Sequence, residues 1–168
     1  MAKEYRAIHL LVHDTANSKN IIVSGIYGPT QAREKDVFWE QLLHMNSIVD
    51  LPWLLVGDFN ELESLTDKQG TNLPSLRRTE WLNSLLSIIR AESIPVNGKH
   101  FSWGKRINSS WVFERLDGGI AREDCSSLYP NLCLTYVAFM FSDHCPIIIS
   151  TTMENRQCYS YCLSLIHI

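Results

Sequence analysis

Four sets of polar side chains stand at the ends of apolar, strand-like runs: Tyr27, Asp58 with Asn60, Asp117, and Asp143 with His144. Gathered on one rim, they have the parts for metal-assisted phosphoester hydrolysis. A hard Mg²⁺ ion takes carboxylate oxygens together with water and phosphate oxygens. It stabilises the charge that develops on the phosphate and on the leaving oxygen. A carboxylate hydrogen-bonded to one ring nitrogen of His144 would fix its tautomer and orientation, as the Asp–His pair of a catalytic triad does. Asp117 is the candidate for that partner. The Asn60 amide and the Tyr27 hydroxyl are donors suited to a phosphate oxygen. A plainer reading of Asp58 and Asn60 stands beside this one, because both residue types serve turns through local hydrogen bonds.

The element that must carry Asp58 is the run Trp53-Leu54-Leu55-Val56, stopped by Gly57-Asp58. An apolar run of this length reads as a buried strand, and its end is where α/β sheets bind ligands. Before it, Tyr5–Val12 and Asn20–Tyr27 form an expected antiparallel hairpin, joined by the polar link His13–Lys19. Gly28-Pro29 forces a loop, and Gln31–Val49 reads as a helix with Phe38, Leu42, Met45 and Val49 on one face, widened by Trp39 and Leu43. Glu61–Pro74 is expected as a polar loop, and Ser75–Glu92 as a second amphipathic helix burying Leu82, Leu85, Leu86 and Ile89. His100–Trp103 and Trp111–Phe113 are strand-like pieces around a turn at Asn108–Ser110. Leu132–Phe141 and Pro146–Thr152 complete the apolar runs. This order predicts a layered α/β or α+β domain.

With 168 residues, 45% of them apolar, the chain can build a substantial core. The net charge of −3 excludes a generally basic protein, so any nucleic-acid contact must come from a local patch. Lys99-His100-Phe101-Ser102-Trp103-Gly104-Lys105-Arg106 interleaves basic and aromatic residues as a backbone-tracking surface would. Lys99, Trp103, Lys105 and Arg106 are its candidate substrate contacts, and Arg77-Arg78 could join them. The competing reading is a hairpin with Phe101 and Trp103 in the core and its basic residues solvated. The five cysteines show no zinc-type spacing and read as reduced thiols of an intracellular protein, nuclear or cytoplasmic. Neither end has the length and composition of a membrane span. The uncharged stretch Gln157–Ile168 departs from the rest, so residues 1–152 are expected as the domain and 153–168 as an atypical tail.

Five motifs, in order, resemble the endonuclease/exonuclease/phosphatase family: Ile26-Tyr27-Gly28-Pro29, Gly57-Asp58-Phe59-Asn60, Phe101-Ser102-Trp103, Glu114-Arg115-Leu116-Asp117 and Ser142-Asp143-His144-Cys145-Pro146-Ile147. They look most like the apurinic-type endonuclease domain of plant non-LTR (LINE-type) retrotransposons. The resemblance implies two packed β-sheets flanked by helices, and Mg²⁺-dependent cleavage of duplex DNA that leaves a 3′-hydroxyl. By matched position, Asp58 would activate or position water, or protonate the leaving group. Asn60 and Tyr27 would bind phosphate, Asp117 would orient His144, His144 would contact the scissile phosphate, and Asp143 would sit at or beside the metal. The chain departs from the pattern at Thr30, where apurinic endonucleases have Asn, and at Gly118-Gly119, where two glycines should weaken a strand. The resemblance also implies that the family's first strands and its metal-binding Glu have no counterpart here. Two further readings therefore stand: a non-catalytic DNA- or protein-binding remnant, and a small-molecule phosphatase on the same fold.

Overall fold

The run that ends in Asp58 lies at the centre of a five-stranded sheet. In the computed structural model, which describes residues 6–137 and 142–152, this sheet has the order β1-β2-β3-β9-β5. Its strands are β1 (Ala7–Asp14), β2 (Lys19–Tyr27), β3 (Trp53–Asp58), β5 (Ala91–Ser93) and β9 (Asp117–Arg122). A second sheet contains β6 (Val96–Asn97), β10 (Cys133–Tyr136) and β11 (Ile147–Ser150), and a third contains β4 (Lys68–Gln69), β7 (Trp103–Ile107) and β8 (Ser110–Glu114). The helices are α1 (Ala32–Ile48), α2 (Arg77–Ile89) and α3 (Glu123–Leu128).

β3 is apolar from Trp53 to Val56 because both of its faces are covered. Trp53 and Leu55 point into a core with Phe38, Trp39 and Leu42 of α1 and Leu82, Leu85 and Ile89 of α2. Leu54 and Val56, one residue out of phase, pack with Leu134 and Tyr136 of β10, Ile147 and Ile149 of β11, and Cys125 of α3. The result is the layered α-β sandwich expected from the sequence, with helices on one face of the large sheet and a small sheet on the other. Burying a side chain such as Leu55 contributes about 1.5–3 kcal/mol.

The hairpin and the first helix lie close to their expected bounds. Elsewhere tertiary pairing overrides local pattern. The second helix stops at Ile89, where Arg90 turns left-handed at φ 52°. Ala91–Ser93 leaves the helical pattern to pair with β9, so the expected extension to Glu92 is corrected. The loop after Glu61 contains a 3₁₀ turn, Leu65–Asp67, capped by Ser64, and then β4. The strand expected from His100 begins at Trp103. Asn108 and Ser109 both have positive φ and close the β7–β8 hairpin in two residues. α3 had no periodic signal.

Gly118-Gly119 was expected to weaken its strand, yet β9 is the complete partner of β3. A Cβ on Gly119 would lie 2.6 Å from Ile94 Cδ1, so glycine there makes room for the core. Only part of the expected run Leu132–Phe141 is a described strand, since residues 138–141 lie outside the described residues, as does the tail from 153.

Candidate active site

Strand register brings the first carboxylates together. β3 runs parallel to β2 and antiparallel to β9, so Tyr27, Asp58 and Asp117 sit in one row across three adjacent strands. Asp58 is the last residue of β3 and Asp117 the first of β9, and they form a cross-strand pair. Like charges placed opposite one another are destabilising. Both carboxylates are buried, which sharpens the repulsion. Burial first, and then the charge of Asp117, push the Asp58 carboxyl up to about 7, against hydrogen bonds from Asn60 and the charge of His144.

Two glycines fix this end of β3. A Cβ on Gly57, whose φ is +145°, would meet Ile26 O at 2.1 Å, and one on Gly28 would meet Phe59 O at 2.2 Å. Glycine therefore lets β2 and the loop after it close against the site strand.

His144 arrives from a separate segment, bridged to Trp103 at the start of β7. Its Nδ1 donates to Asp117 Oδ2 at 2.8 Å. Burial acts to lower the imidazole pKa, but the hydrogen bond and charge of Asp117, with Asp58 and Asp143, raise it overall. Ser102 ties the two carriers together. Its Oγ accepts from Leu116 N (3.0 Å) and Asp117 N (2.9 Å), while its carbonyl accepts from Cys145 N (2.7 Å). Tyr136 donates its hydroxyl proton to the Asp117 carbonyl at 2.6 Å.

Asn60 has a left-handed backbone at φ 51°, a conformation that Asn tolerates better than most residues. Its N–H donates to Asp58 Oδ1 (2.9 Å), and its Nδ2 to Asp58 Oδ2 (3.0 Å) and Gly28 O (2.8 Å). Both amide hydrogens are thus engaged within the protein. In this arrangement Asn60 orients Asp58, and the sequence expectation that it binds phosphate requires the amide to turn.

Asp58, Asn60 and His144 line a groove of about 540 Å³ that also includes Tyr27, Trp81, Arg77, Trp103, Lys105 and Asp143; Asp117, which holds His144, does not line it. Asp143 accepts from Trp103 Nε1 at 3.2 Å, with Lys105 Nζ 4.0 Å away. The expected basic-aromatic surface divides here. Trp103 and Lys105 face the groove, whereas Lys99 and Arg106 do not line it. Arg106 lies opposite Trp111 in the β7–β8 register, on the other side of the ribbon from Lys105, because successive strand residues alternate faces. Arg78 is committed to a bidentate pair with Glu114, at 2.9 and 2.8 Å.

Among the described residues, ligand atoms of Asp58, Asp117 and His144 lie within 4.8 Å of one another and could hold a metal ion. The cluster does not include Asp143, the residue the sequence had placed at the metal. The donor set fits a hard divalent cation, since two buried carboxylates that repel each other gain most from a positive charge between them.

Sequence reasoning did not single out Lys35 or Glu61, and it quoted Ser102 and Glu114 within motifs without giving either a role. Lys35 stands three and four residues before Phe38 and Trp39, on the buried stripe of α1. A lysine at that phase was the available signal.

No protein-family model and no curated protein matches the sequence. Solved structures do match. The endonuclease domain of TRAS1, a telomere-specific non-LTR retrotransposon, aligns with a TM-score of 0.68 and 13% identity over 89% of this chain and 65% of that domain. The 3′-5′ exonuclease NExo from Neisseria meningitidis gives 0.63 and 14% identity, over 87% of this chain and 64% of its own. A beta toxin of Staphylococcus aureus gives 0.57 and 15%, over 88% and 57%. The fold is shared with these structures and resembles that of endonuclease/exonuclease/phosphatase enzymes. This chain spans about two thirds of the length of these neighbours, or less.

Proposed function

We propose that this chain belongs to a Mg²⁺-dependent phosphodiester hydrolase, a DNA endonuclease of the retrotransposon type. One observation carries the reading: Asp58 and Asp117 are cross-strand neighbours, and Asp117 holds His144 Nδ1 at 2.8 Å, with Asp58 and His144 both on one groove. The fold shared with the TRAS1 endonuclease domain, and with a NExo structure bound to a product DNA hairpin, supports it.

The chemistry follows from the charges. Asp58, pushed up to about 7, exchanges its proton near neutrality, which suits a group that takes a proton from water or gives one to the leaving oxygen. Water gives up a proton as it adds to phosphorus, the P–O3′ bond breaks, and the departing oxygen takes up a proton to become a 3′-hydroxyl, leaving a 5′-phosphate. His144, raised by its acidic neighbours, presents its other nitrogen as a donor to a phosphoryl oxygen as charge builds there. Asp117 keeps the ring in one tautomer. Asp58 and Asp117, with Asp143 nearby on the rim, would hold Mg²⁺, which when bound stabilises the charge on the phosphate and leaving oxygens. Trp103, Lys105 and Arg77 provide a local surface for the DNA backbone in a chain of net charge −3. Cys125, Cys133 and Cys145 are free thiols, which suits a nuclear or cytoplasmic site of action.

The test is nicking of supercoiled plasmid by the purified chain in Mg²⁺. Nicking that disappears with chelator, and in Asp58→Ala and His144→Ala, supports the reading. Salt-sensitive duplex binding with no nicking at any Mg²⁺ concentration would replace it with a non-catalytic binding module. A specific observation favours that second reading: the only ligand cluster among the described residues has two carboxylates, and the near nitrogen of its His is already given to Asp117.

A further inference from the structure

We propose that Lys35 is a positioning residue for the Asp58 side of this site, acting through the backbone of Asn60; the inference rests on the nuclease reading for its consequence in catalysis. Lys35 lies on the buried stripe of α1, and its ammonium donates to the Asn60 carbonyl at 3.2 Å while pairing with Glu61. Asn60 is the residue on which the Asp58 geometry depends. Its N–H and Nδ2 together hold both carboxylate oxygens of Asp58, and Nδ2 also reaches Gly28 O. All three bonds require residue 60 to stay left-handed, at φ 51°. β3 ends at Asp58, so the strand ladder does not fix Asn60. The anchor comes from α1.

A purely stabilising role explains this pair poorly. An apolar side chain at 35 would continue the stripe of Phe38, Trp39 and Leu42 without desolvating an ammonium. Glu61 has a side chain 1% exposed, and its Oε2 is buried with no hydrogen-bond partner. A pair retained only for stability would be expected to satisfy both oxygens. The contact to the Asn60 carbonyl is what an apolar residue could not reproduce. Lys35 also lines the groove, so direct contact with an anionic substrate is the competing role.

The test compares Lys35→Met and the double variant Lys35→Met/Glu61→Met, the latter leaving no lone buried carboxylate that could unfold the chain. The first readout is the Asn60 side-chain amide in ¹H–¹⁵N spectra of the free protein; the second is steady-state nicking. Positioning predicts that both variants move the Asn60 amide pair towards unbonded shifts and fast exchange. It also predicts that kcat falls about tenfold to a hundredfold with KM little changed, the scale of a modest misplacement. Adding Asn60→Ala to Lys35→Met should cause little further loss. An unchanged Asn60 amide, or a rise in KM at constant kcat, would overturn the proposal. The amide signature needs no catalysis. If the unaltered chain does not nick DNA but the signature still collapses, positioning stands and the nuclease reading falls.

Discussion

The centre and the edge of the five-stranded sheet are built to different standards. In β3, Trp53 and Leu55 are 0% exposed, and the strand is covered by helices on one side and a sheet on the other. In β1, Ile8 and Leu11 are 61% and 65% exposed although they point to opposite faces, so among the described residues both faces of that strand are left open beyond Ala7. Every carboxylate of the candidate cluster is launched from the covered pair, β3 and β9. Placement to within a hydrogen bond's length needs a backbone that packing over-determines, and the edge strand has no such packing.

That contrast can be broken by substitution. The largest effects are expected at the ends of the covered strands. Asp58→Ala and His144→Ala should each lower Mg²⁺-dependent nicking by about a thousandfold or more while leaving circular dichroism unchanged. One step back, Leu55→Ala should cost about 2–5 kcal/mol in denaturant titration, because it opens a cavity against α1 and α2. The matching change at the edge, Leu11→Ala, should stay within about 0.5 kcal/mol.

The pH dependence of stability sharpens the comparison. The Asp58 carboxyl lies at about 7 in the folded chain against an ordinary 3.8, so the folded state favours its neutral form. Its contribution is fully present below 3.8 and is lost as pH rises through about 7. Asp58→Asn should therefore flatten the fall in stability between about pH 4 and pH 8, by about 2–4 kcal/mol, as read from unfolding midpoints at the two values. Mg²⁺ should raise the stability of the unaltered chain at the upper pH and not that of Asp58→Asn. The smallest effect is at the edge: Leu11→Lys should leave nicking and unfolding midpoints unchanged while lowering self-association in sedimentation.

Much of this arrangement is legible in the sequence, wherever one local rule governs. The apolar run ending in Gly57-Asp58 names its own strand, and the α1 stripe names its buried face. What the sequence does not disclose is register. That Asp117 stands opposite Asp58, rather than one residue away, is decided by the β3–β9 ladder. Long-range pairing likewise ended α2 before Ala91 and turned Arg106 away from the groove that Lys105 faces. Gly119 of β9 read as a defect because the side chain that needs its space, Ile94, comes from a separate stretch of chain. Lys35 was readable as an oddity of phase, but its partner Glu61 lies 26 residues on.

The alignment of Asp58 with Asp117 also limits how such a chain can change length. Adding or removing one residue at the start of β9 would send the second carboxylate to the opposite side of the sheet, away from the imidazole. The ribbon tip at Asn108 and Ser109 meets no such restriction, since its length does not set that alignment. Variation in size is therefore free at the hairpin that borders the groove and forbidden at the start of the strand that carries Asp117.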